Sequence, residues 1–176
     1  MDNQTTKPTL VTGMFTDKDS AERAYNNLHS RGYTKDDVNL IMSDDTRKKH
    51  FAHEEVKTEL GTKAMEGAGT GSAIGGTVGA IAGAVAAIGT SLLIPGLGIV
   101  VAGPIAAALA GAGAGGLTGG VVGALIGSGI PEARATVYEK GVKDGHIVMG
   151  VHARNADDAQ YLENDWRTNN AVEIHR

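Results

Sequence analysis

Three groups of residues in this 176-residue chain have the side chains and spacing to do chemistry. His50-x-x-His53, followed by Glu54, would put two imidazoles on one face of a helix. A metal centre needs a third ligand, and none follows nearby, so the pair reads as solvated surface. Gly111-Ala112-Gly113-Ala114-Gly115-Gly116 matches G-x-G-x-x-G, with Glu132 about twenty residues further on. A dinucleotide site needs a strand before the motif and a helix beginning at it. Here the glycines lie inside a longer four-residue glycine ladder, so the match reads as coincidence. Arg47-Lys48-Lys49 could hold a phosphate, but it follows Asp44-Asp45 and reads as a solvated helix start.

The other candidates are weaker. His146, His152 and His175 fall on or at strands, where packing or surface roles outrank catalysis. The absence of cysteine removes disulfides and thiolate metal sites. No nucleophile–base pair or paired carboxylate stands out. A net charge of −4 argues against a nucleic-acid partner. The expectation is a protein that is not an enzyme, with no catalytic, cofactor-binding or metal residue and no evident small-molecule substrate.

The elements that carry these residues form two chemically different materials. From Gly67 to Pro131 the chain has no Lys, Arg, Asp, Glu or His, and no aromatic residue. All the charge lies in the flanks, and the flanks repeat one pattern. Leu10–Phe15 and Ile147–His152 read as strands with glycine at the same place. Thr16-x-x-Asp19 and Asn155-x-x-Asp158 read as helix N-caps with a carboxylate in the first turn. Ala21, Ala24 and Leu28 mark the apolar face of the first helix; Ala159, Leu162 and Trp166 mark that of the second. Gly32 is a natural stop for the first helix. Val38–Met42 and Val172–Ile174 complete each copy as strands.

Strand–helix–strand twice over predicts an α+β, ferredoxin-like split βαβ domain with right-handed crossovers and the first strand of each copy at the sheet centre. Both central strands are apolar on both faces: Val11 and Phe15 lie opposite Leu10 and Met14, and Val148 lies opposite Ile147, Met149 and Val151. Something must therefore cover the second face. A second subunit's sheet, with Val11, Phe15 and Val148 at the interface, is the first candidate, and the inserted segment is the other.

That segment keeps a register. Gly67, Gly71, Gly75, Gly79 and Gly83 fall every four residues, as do Gly111, Gly115, Gly119, Gly123 and Gly127. The two ladders are mirror-placed about Leu97, with turn signals at Pro95, Gly96 and Gly98 and a helix start at Gly103-Pro104. The spacing predicts an antiparallel glycine-zipper helical hairpin of two helices of about 25 residues, roughly 37 Å each. Small-x-x-x-small faces let helix backbones approach closely. Ile74, Val78, Ile81, Val85, Ile88 and Leu92 add a heptad seam on the first helix. The expected organisation is a first βαβ half over 1–46, a charged connecting helix over 47–66 and the hairpin over 67–130. A linking helix and the second βαβ half follow over 131–176.

The run Val11-x-Gly13-x-Phe15, Ala21-x-x-Ala24-x-x-x-Leu28-x-x-x-Gly32-Tyr33, then Val38-x-Leu40-Ile41, resembles the opening of the bacterial general stress proteins, the heat-induced and low-temperature-induced type. Many members of that family carry a glycine-rich insertion. The resemblance implies a stress-response setting and transfers no catalytic residue.

A helix apolar all round is buried in protein or in lipid. The cations Arg47, Lys48, Lys49, Lys57 and Lys63 before the hairpin, and Arg134, Lys140 and Lys143 after it, suit a hairpin entering from the cytoplasmic side. Against lipid, the tip is apolar and there is no aromatic belt; eight Ile, Val and Leu residues from Ile74 to Ile94 supply only about −4 kcal/mol. The polar N-terminus has no apolar run behind it, which favours a cytoplasmic protein over a secreted one. The leading expectation is a non-enzymatic stress-response protein that homo-oligomerises through the zipper and associates with the cytoplasmic face of the inner membrane. The alternatives are a soluble homo-oligomer with the hairpins as an internal helical core, and a small-molecule sensor.

Overall fold

The computed structural model describes residues 9–51, 81, 91–94, 97–111 and 120–176. The chain is an α+β protein built on a six-stranded antiparallel sheet. In chain order the described elements begin with β1 (Thr9–Phe15), α1 (Lys18–Ser30), a 3-10 turn (Lys35–Asp37), β2 (Val38–Ser43) and α2 (Asp44–His50). The glycine-rich region contributes β3 (Ser91–Ile94), β4 (Ile99–Ala102), α3 (Pro104–Gly111) and α4 (Gly120–Gly127). The chain ends with α5 (Glu132–Lys143), β5 (Ile147–Ala153), α6 (Ala156–Thr168) and β6 (Val172–His175).

Strand order is β3-β4-β2-β5-β1-β6. The first strands of the two copies, β1 and β5, lie side by side at the centre, paired from Thr9↔Ala153 to Phe15↔Ile147. The boundaries of α1 and α6 follow local chemistry. Asp17 caps α1 by accepting from the Ser20 N–H at 2.8 Å, one residue later than the expected Thr16. Asn155 caps α6, accepting from Asp158 N–H at 2.8 Å. Gly32 follows α1 at φ +83, a left-handed position that suits glycine.

Side-chain alternation sends one set of strand residues to each face, and both faces are covered. Val11, Phe15, Leu40, Ile147, Met149 and Val151 pack with Ala24 and Leu28 of α1 and Leu162 and Trp166 of α6. Met14, Ile41, Val101 and Val148 pack with Ile105 of α3, Val121 and Leu125 of α4, and Tyr138 and Val142 of α5. The result is a helix–sheet–helix sandwich.

This corrects the expected interface between subunits. Val11 and Phe15 are buried beneath α1 and α6, Val148 is buried on the opposite face beneath α5, and the three do not share a surface. The second face is covered from within the chain, by the inserted segment and the helix after it.

The helical hairpin is also corrected where it is described. The turn falls where expected, but it joins strands. β3 and β4 pair from Ser91↔Ala102 to Ile94↔Ile99, and Gly98 sits in the turn at φ +60. Leu92, expected at the end of the heptad seam, is therefore on β3. The physical reason is the edge of β2, which would otherwise present unpaired N–H and C=O groups. Leu40–Ser43 instead pair with Ile99–Ala102, a β-branched run suited to a strand. A short, wholly apolar run carries no period that separates strand from helix. Gly103-Pro104 does begin a helix, as expected. A Cβ at Gly103, whose φ is +100, would lie 2.3 Å from the Val38 carbonyl oxygen, so only glycine lets the chain turn from β4 into α3.

Candidate functional site

The sequence-expected site residues fall in three places. Gly67, Gly71, Gly75, Gly79, Gly83, Gly115, Gly119, Ile74, Val78, Val85, Ile88, Pro95 and Gly96 lie outside the described residues, as do His53 and Glu54. Ile81 is fully buried in the core with α1, and its N–H donates to Glu22 Oε2 at 3.3 Å. Gly111 ends α3, and Gly123 and Gly127 lie on α4.

The two α4 glycines are informative because no described residue packs beside them. Among the described residues no heavy atom lies within 4 Å of a Cβ built at Gly123 or at Gly127. Next to them Ile126 is 43% exposed. The opposite side of α4 buries Val121 and Leu125, chiefly against α5. Among the described residues the helix is therefore committed on one face and apolar and uncovered on the other.

A second feature lies at one end of the sheet and was not anticipated from sequence. Beyond the carboxyl ends of β1 and β2 there is a cleft of about 550 Å³. Its walls are Thr16 after β1, Ser43 to His50 around α2, Leu97 to Ile99 of the β3–β4 turn, and Lys143 to His146 between α5 and β5. The walls are cross-linked. Asp44 N–H donates to the Gly98 carbonyl at 2.7 Å, and the Thr46 hydroxyl donates to the Gly145 carbonyl at 3.2 Å. Ser43 Oγ accepts from Thr46 N–H at 3.0 Å, which fixes the start of α2.

Within the basic cluster, Asp44 takes Arg47 at 2.7 Å and Lys48 at 2.6 Å, and these two hold the Asp44 carboxyl below its usual range. Lys49 lines the cleft and has no ion-pair partner among the described residues. Lys143, across the cleft, pairs with Glu139 at 2.9 Å. The Nδ1 atom of His146 is buried and unpartnered, and a Cβ at Gly141 would lie 3.2 Å from it. Nε2 is thus the ring nitrogen left to serve the cleft. Among the described residues no group of three His, Asp or Glu side chains is placed to hold a metal ion. The sequence signal for the cleft was slight: its cations and histidines come from residues about a hundred positions apart in the chain.

Two polar clusters hold the helices in place instead. Asp158 of α6 accepts from Arg31 Nε at 2.8 Å and from the Tyr33 hydroxyl at 2.9 Å, joining the two repeats. The Arg154 guanidinium stacks 4.2 Å from the centre of the Tyr33 ring. On the other face, the Tyr138 hydroxyl sits 2.9 Å from the Thr12 hydroxyl and donates to the Glu173 carbonyl. Burial raises the Tyr138 pKa, so it stays a neutral donor there.

The fold and these clusters define a two-faced α+β protein whose apolar middle segment is part of its own core. Compared with known proteins, the chain matches no family model, no curated protein and no solved structure.

Proposed function

We propose that the chain is a non-catalytic, ferredoxin-like protein of stress response that assembles with copies of itself through the glycine face of α4. The observation that carries this is that no described residue packs beside Gly123 and Gly127. Glycine inside a helix costs about 1 kcal/mol relative to alanine. Close packing against another backbone recovers that cost, and no described residue of the chain supplies it at these two positions. Exposed Ile126 provides the apolar contact around such a crossing.

The ferredoxin-like reading is supported by the order β2-β5-β1-β6, with all neighbours antiparallel. Two βαβ units interleaved in this way are the expected arrangement, here extended by the β3–β4 hairpin on one edge. The stress setting rests on the family resemblance alone. Among the described residues no helix is long and apolar enough to cross a membrane. The turn near Leu97 joins the strands β3 and β4, which favours burial by protein contacts over a pair of spanning helices that turn there.

Analytical ultracentrifugation of the full chain against Gly123→Leu and Gly127→Leu tests the proposal. The wild type is expected to sediment as a defined oligomer and both variants as smaller species. Both variants should keep the wild-type helix content by circular dichroism, since no described residue crowds the site and leucine is the better helix former by about 1 kcal/mol. A monomeric wild type, or variants with unchanged size, would overturn it.

A further inference from the structure

We propose that the cleft at the end of the sheet binds the phosphate ester of a small hydroxyl-bearing molecule. Its volume of about 550 Å³ lies in the range of small-molecule sites. Its walls are fixed to one another by the Asp44–Gly98 and Thr46–Gly145 hydrogen bonds, so little ordering remains to be done on binding.

The charges in the cleft select the ligand. Lys49 offers an ammonium with three donors and no competing carboxylate within ion-pair distance among the described residues. This is notable because its neighbours Arg47 and Lys48 are both taken by Asp44. His50 stands beside Lys49 on the same wall, and His146 faces from another with its Nδ1 turned into the protein. These groups suit the oxygens of a phosphate. Asp45 and Asp144 line the same cleft and accept hydrogen bonds only, so they suit hydroxyl groups and would repel an anion bound without them. A ligand carrying both a phosphate and hydroxyls meets both sets.

Titration calorimetry of the full chain at low salt tests this, with ribose 5-phosphate, inorganic phosphate and ribose as probes. Ribose 5-phosphate is expected to bind saturably, and the other two at least tenfold more weakly. Lys49→Gln, at an exposed position, should weaken ribose 5-phosphate at least tenfold. Lys48→Gln, which loses only the exposed pair with Asp44, should leave it within twofold. No saturable binding would overturn the proposal. So would inorganic phosphate binding as tightly as the ester, or equal losses in the two variants.

Discussion

Two carboxylates on α6 stand seven residues apart and are held in opposite ways. Burial pushes the Asp165 carboxyl above its ordinary value of 3.8, and hydrogen bonds from Asn27 and Asn169 only partly offset it. Asp158 is also pushed up by burial, but its hydrogen bonds from Arg31 and Tyr33 outweigh this and hold it below 3.8. The linkage signs follow. The native state binds the Asp165 proton more tightly than the unfolded chain does. Its contribution is therefore full below 3.8 and lost as pH rises through the folded value. The Asp158 contribution is present above 3.8 and lost as pH falls through its folded value. Urea unfolding at pH 7 should show Asp165→Asn more stable than wild type and Asp158→Asn less stable by about 1–2 kcal/mol. At pH 3 both differences should shrink. An Asp165→Asn variant less stable at pH 7 would mean that the charged form is the favoured one. The same scale shows where the repeat was slightly misaligned in sequence. The sequence repeat sets Gly13 and Gly150 in equivalent positions, yet a Cβ at Gly13 would meet Trp166 at 2.9 Å while one at Gly150 would meet Thr12 on the other face. The N-caps Asp17 and Asn155 show the true offset, one residue longer.

At the scale of elements, α3 depends on a side chain from the sheet. Asn39 of β2 is buried, accepts from Ile105 N–H at 2.8 Å and donates to the Gly150 carbonyl at 3.3 Å. Helix N-termini leave N–H groups that need such an acceptor, and Gly103 before Pro104 has no side chain to supply one. Asn39→Ala is expected to cost about 1–3 kcal/mol, because a buried donor loses its partner. Hydrogen exchange should localise the change to Ile105 and the first turn of α3. Uniform protection across α3 in the variant would show that the cap is dispensable. The flanking helices were legible in sequence because polar and apolar residues alternate with clear periods there, as in α1 and α6, and the apolar strands β1 and β5 because each repeats the other. The strands β3 and β4 were not. All of their residues but Ser91 are apolar, so no polar–apolar period is left to read, and the heptad spacing runs on to Leu92 without meaning helix there. The helix start at Gly103-Pro104 remained legible because it depends on backbone geometry rather than on polarity. The cleft was illegible for a different reason. Lys49 and His146 come together only through the pairing of β2 with β5.

At the scale of the whole molecule, the inserted segment supplies one edge of the sheet and part of the cover of its second face, so the flanks do not close over a complete core without it. The central feature is the slot between β1 and β2. These strands run parallel, are adjacent in the repeat, and are separated by β5. β1 has only β5 and β6 as ladder partners, some 135 residues later in the chain. Such topology folds slowly, as non-local pairing must precede any reward. Stopped-flow refolding monitored at Trp166 should give a single slow phase on the order of milliseconds to seconds. A microsecond phase that restores the full native signal would contradict this. The same slot has a meaning on the ribosome. At about 5–20 residues per second, the chain needs roughly 7 to 28 s after β1 is made before β5 exists to pair with it. During that time the charge-free segment is synthesised with no finished sheet to lie on. A nascent chain stalled anywhere between residues 67 and 146 is thus a sticky intermediate, and its safety depends on whatever shields apolar chain at the exit tunnel.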